Sequence, residues 1–65
     1  MKSMKVNDVL FDVRSGAYHR IDHICDNGNV QATELVVDDD DEFKETTHSG
    51  YYLTQREVSK MSLCN

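Results

Sequence analysis

Apolar and polar residues alternate along most of this chain, and the alternation predicts strands. From Asp8 to Val13, the residues Val9, Phe11 and Val13 share one face while Asp8 and Asp12 point the other way, as a half-buried strand requires. Arg14-Ser15-Gly16 supplies a turn in which Gly16 is free to take a positive φ. Tyr18–Cys25 reads as a second strand. There Tyr18, Ile21 and Ile24 recur at every third position, so either a bulge resets the alternation or a helical turn competes with it, and the frequent β-branched and aromatic residues favour the bulge. Asp26-Asn27-Gly28-Asn29 is the sharpest local signal, because Asn-Gly between strand-like runs favours a type I′ turn with two positive-φ residues. Val30–Val37 follows as a third strand, with Val30, Ala32 and Leu35–Val37 as core candidates. Further on, Phe43–Thr47 and Tyr51–Leu53 flank His48-Ser49-Gly50, which predicts a second hairpin with a three-residue loop.

The period changes near the C-terminus. Thr54-Gln55-Arg56-Glu57 fits a capping box, and Leu53 and Val58 fall at the two positions of a hydrophobic staple. Val58 and Met61 share a helical face, which predicts a short helix over 55–62 docked through Val58, Met61 and Leu63. The expected fold class is therefore mainly β. It is a small, strongly bent five-stranded antiparallel sheet or SH3-like barrel, with a short C-terminal helix, in one domain spanning 1–65. Lys5-Val6-Asn7-Asp8-Val9 resembles the strand-entry pattern K-x-G-D-x-V of SH3-like barrels. Gly16-Ala17-Tyr18-His19-Arg20-Ile21 resembles their first hairpin. Asn7 stands where glycine is usual, and asparagine tolerates positive φ. In length and texture the chain also resembles small accessory proteins encoded by bacteriophages and prophages. That resemblance implies a partner among host nucleic-acid-binding or defence proteins.

Sixty-five residues without proline leave room for one core and none for the cleft of a conventional enzyme. No apolar run approaches a membrane span, and MKSMKVNDVLF has too short an apolar stretch for a secretory signal. A cytoplasmic domain with reduced thiols is expected, although Cys25 and Cys64 would permit a disulfide. The net charge of −5 is unevenly placed. Glu34, Asp38, Asp39, Asp40, Asp41, Glu42 and Glu45 stand against Lys44 alone, so one segment carries more than the whole net charge. Elsewhere six bases slightly outnumber five acids. Four consecutive aspartates repel one another, which predicts an exposed acidic loop over about 38–42.

Candidate chemistry narrows quickly. Zinc needs converging soft ligands, usually in two close pairs, and the only close pair here is His23-x-Cys25. His19 lies on the same face but roughly 13 Å away along a strand, and His48 and Cys64 join only through the tertiary fold. An EF-hand register on Asp38, Asp40 and Glu42 would place Phe43 where glycine is required and Ser49 where a bidentate glutamate is required. His23 and Cys25 lack a third group to make a nucleophile. No metal, no other cofactor and no catalysis are expected.

What remains is binding. The first expectation is a protein-interaction module offering Glu34, Asp38–Asp41, Glu42 and Glu45 to a basic surface of another protein, with Tyr51 or Tyr52 as apolar anchor. The second is a nucleic-acid-binding accessory domain using Arg14, Tyr18, Arg20, Arg56 and Lys60. A third is a structural subunit that dimerises through an edge strand, so the chain is expected to be a monomer or homodimer.

Overall fold

The computed structural model describes residues 4–64. Five strands and one helical turn follow in the order β1 (Val9–Asp12), β2 (Ala17–Ile24), β3 (Val30–Val37), β4 (Phe43–Leu53), α1 (Gln55–Ser59) and β5 (Ser62–Cys64). They form one antiparallel sheet in the spatial order β4-β3-β2-β1-β5, with β4 and β5 at its edges. No helix among the described residues is long and apolar enough to cross a membrane.

The core lies on one face, beneath α1. Ile21, Val30 and Ala32 are fully buried there and pack with Leu10, Leu53 and Val58. Truncating Ile21 to Ala would cost about 2–5 kcal/mol, comparable with the whole stability of a domain this small. The helix exists because its ends are satisfied. Thr54 accepts a hydrogen bond from the Glu57 amide (3.1 Å), while the Glu57 carboxylate accepts from the Thr54 amide (2.9 Å). Leu53 and Val58 are both buried, as the staple requires. The helix is shorter than the predicted 55–62, because Ser62–Cys64 leaves it to pair with β1 as the fifth strand.

Three local expectations change. Tyr51–Leu53 is not a separate strand after a hairpin. His48-Ser49-Gly50 instead lies inside the continuous β4, which absorbs the surplus residues as register shifts opposite Ala32–Leu35. Gly50 takes φ +74 there, the left-handed conformation that a bulge demands. In β1 the fully buried residue is Leu10, while Val9 and Phe11 point to the opposite face and Val13 belongs to the turn. The expected bulge in β2 is present, as the register with β3 shifts between Ile21 and His23.

The turn at Asn27-Gly28 is also of a different type. Gly28 has φ +90, but Asp26 and Asn27 do not have positive φ. The Gly28 amide donates to the Cys25 carbonyl (3.0 Å) and the Cys25 amide to the Asn29 carbonyl (2.8 Å). This is a type I turn closed by a left-handed residue, the usual three-residue hairpin loop. The aspartate run repeats the pattern. The Asp41 amide donates to the Asp38 carbonyl (3.1 Å), the Asp38 amide to the Glu42 carbonyl (2.9 Å), and Asp41 takes φ +60. Asp41 thus occupies the place that Gly28 holds in the other loop.

Equivalent positions should respond with opposite signs. Asp41→Gly removes left-handed strain and one repelling charge, and is expected to raise stability by about 0.5–1 kcal/mol. Gly28→Ala is expected to lower it by about 1–2 kcal/mol. A Cβ at Gly28 would also sit 3.0 Å from the Gln55 side chain. Urea unfolding midpoints of the two variants against the parent check both.

Candidate functional site

A sheet has two faces, and α1 covers only one of them. On the second face Phe11, Tyr18 and Leu35 are register partners in a single row across β1, β2 and β3. Val37 and Phe43 are paired in the next row of that face, at the start of β4. The Phe11 and Tyr18 rings lie 4.8 Å apart and the Tyr18 and Phe43 rings 5.0 Å apart. These contacts bury Leu35 to 5% exposure, although it is not a member of the main core. The covering residues are themselves open, with Phe43 and Val37 each 43% exposed. The result is an apolar strip with a buried floor and a wet rim.

The acidic hairpin ends this strip. Asp38 organises the loop: its Oδ1 accepts from the amides of Asp40 and Glu42, each at 2.9 Å, and its Oδ2 lies 3.6 Å from Lys44 Nζ. Asp39, Asp40, Asp41 and Glu42 are exposed, and none has an ion-pair partner among the described residues. Glu42 directly precedes Phe43, so free negative charge abuts the apolar strip.

The remaining predicted acids are spent on structure. Glu45 pairs with Arg20, which also binds Asp22 at 2.9 Å. Burial pushes Asp22 up, but the Thr33 hydroxyl and the Arg20 guanidinium outweigh it and hold its carboxyl below the ordinary value. The Arg20 guanidinium is in turn raised by hydrogen bonds to Glu45 and Asp22. Glu34 lies on the helix-bearing face, with its Oε1 3.1 Å from His48 Nδ1.

The two tyrosines also part. Tyr52 is 63% exposed, opposite Gln31 and at the far end of β4 from Phe43. Tyr51 is half-buried on the helix-bearing face, where its hydroxyl meets His19 Nδ1 at 2.5 Å and its ring stacks on His48 at 4.2 Å. Tyr51 stands directly opposite Ala32, so its ring reaches β2 across the small side chain of β3. Burial, reinforced by the nearby Glu34, pushes the Tyr51 phenol up to about 12. Burial likewise holds His19 below its ordinary value.

The Arg/Tyr set divides as well. Arg14, Arg56 and Lys60 line one recess beside α1, whereas Tyr18 and Arg20 sit on the second face. Cys25 and Cys64 are free thiols. Among the described residues no group of three His, Cys, Asp or Glu side chains could hold a metal ion. The sequence places Phe11 on the buried face of β1 and Leu35–Val37 in the core and gives Phe43 no role, whereas Val36, Val37 and Phe43 are exposed and Phe11 lies on the face away from α1. The signal was the apolar character of both alternating sets, Val9 and Phe11 as well as Leu10, which marks a strand covered on two sides. No family model matches the chain, and no curated protein or solved structure is significantly similar to it.

The His19–Tyr51 pair generates a pH dependence. His19 binds its proton less readily folded than unfolded, so the unfolded state holds more protons below an ordinary histidine value of about 6.5. Stability is therefore expected to fall as pH drops from about 7 towards 5. His19→Gln should flatten that window and leave the carboxylate-driven loss at lower pH. Urea unfolding at three pH values measures it.

Proposed function

We propose that this protein is a non-enzymatic interaction module that binds a basic surface of another protein through the second face of its sheet and the adjoining acidic hairpin. One observation carries the reading: Phe43, 43% exposed and packed on Tyr18, follows immediately on the unpaired acids Asp39–Glu42. Charge at the hairpin steers and orients a cationic partner, while the apolar strip gives the encounter something to hold. A protein surface that binds nucleic acid offers the matching chemistry, with lysines and arginines placed for phosphate. The aspartates would imitate that charge, as a phage-type inhibitor of a host nucleic-acid-binding or defence protein would. Asp41 holds a left-handed backbone where glycine would be less strained, and a use for its carboxylate beyond turn formation accounts for that choice of residue.

The finer architecture belongs to the same reading. Strand order β5-β1-β2-β3-β4 and a helical turn between β4 and β5 support an SH3-like arrangement. So does Asn7, which takes φ +79 in the turn where the Asp8 amide donates to the Lys5 carbonyl.

Charge and anchor are separable by experiment. Against a panel of purified nucleic-acid-binding proteins, the triple change Asp39→Asn, Asp40→Asn, Glu42→Gln should slow association about tenfold at low salt and little at high salt. Phe43→Ser should instead speed dissociation about tenfold. Binding kinetics measured on a biosensor surface distinguish the two. Unchanged capture by both variants would sink the proposal.

A further inference from the structure

We propose that the recess between the β1–β2 turn and α1 is a binding site for a phosphomonoester group. The inference is independent of the interaction surface, because the recess opens beside the helix on the other face of the sheet. Its cavity is about 420 Å³, and its walls include Asp12, Arg14, Ser15, Arg56, Glu57 and Lys60. That volume suits a small ligand.

The two acids in the wall each accept a backbone hydrogen bond that keeps them ionised and turned to the main chain, so three cations against two carboxylates leave the wall a net charge of +1. Asp12 Oδ1 accepts from the Arg14 amide (3.0 Å), and Glu57 Oε1 accepts from the Thr54 amide (2.9 Å). The three cations are free: among the described residues, Arg14, Arg56 and Lys60 make no ion pair. Ser15 Oγ accepts from the Ala17 amide (3.3 Å), and its hydroxyl donates to the Asp12 carboxylate, so it holds that acid in place and is not itself free for a ligand. In a chain of net charge −5, a recess whose three cations have no ion-pair partner fits a compact anion with several acceptor oxygens, held by the guanidinium and ammonium groups away from Asp12 and Glu57. A long polyanion fits less well. Arg20 lies on the other face of the sheet, spent on Asp22 and Glu45, and Lys44 stands on the far edge strand beside Asp38, so neither continues a basic track from the recess. The group is therefore a terminal phosphate, borne by a small molecule or by a phosphorylated side chain.

Titration of isotopically labelled protein, followed through its amide resonances, tests the site. Inorganic phosphate is expected to give saturable shifts at Arg14, Ser15, Arg56 and Lys60. The affinity should fall about tenfold in the double variant Arg14→Gln, Arg56→Gln, and again in Lys60→Gln. These side chains are exposed and make no internal hydrogen bond, so the variants retain the fold. A nucleoside 5′-monophosphate binding more tightly than phosphate assigns a small-molecule source. A phosphoserine peptide doing so, with its unphosphorylated form silent, assigns a protein source. Shifts that never saturate, that are equally large at Lys5 and Lys44, or that persist in the variants overturn the site. So does an oligonucleotide that binds equally well with and without its terminal phosphate.

Discussion

Everything in this molecule follows from covering a two-faced sheet with too little chain. Five strands use most of the described residues, and only Gln55–Ser59 is left to form a helix. Helix burial of Val58 against Leu10, Ile21, Val30 and Leu53 closes one face. The other face has to cover itself, with rings laid along the sheet in place of a second layer. That solution shields Leu35 and leaves Phe43 and Val37 partly wet. The candidate interaction surface is thus the direct outcome of a shortage of covering residues.

The same shortage explains how polar groups are placed. Where a second layer would have been apolar, the sheet carries Arg20, Asp22, Thr33 and Glu45 as a connected network. Each member satisfies another, and no buried side-chain nitrogen or oxygen among the described residues lacks a partner. On the helix side His19 and Tyr51 meet the same requirement beyond the reach of α1. Charge clustered in sequence is therefore dispersed in function: Asp38, Glu34 and Glu45 hold the fold, and only Asp39–Glu42 face outward unpaired.

Local signals were legible where the chemistry was local. The capping box at Thr54 and Glu57, the bulge in β2 and the positive φ at Asn7 all follow from residues within a few positions. Mainly-β character and the antiparallel sheet were legible from alternation. What escaped was set at long range. Gly50 signals a turn by composition, yet pairing with β3 on both sides keeps β4 continuous and turns the glycine into a bulge. Leu10 and Phe11 are both apolar, and only the position of α1 decides which is core. The acidic segment was found by counting charges. That only part of it is free depends on Arg20, which reaches Glu45 from two strands away, and on His48, which meets Glu34 from the adjoining strand.

β4 is an edge strand of eleven residues, and an edge that long is an open template for a neighbouring chain. Its irregularities answer that hazard. Surplus residues around Thr46–His48 and the left-handed Gly50 break the even spacing of outward amides and carbonyls, and Lys44 adds charge. Such breaks in an edge oppose continuation of the ladder by a second molecule. The bulges that accommodate β4 against its one partner are thus the same features that blunt its free edge.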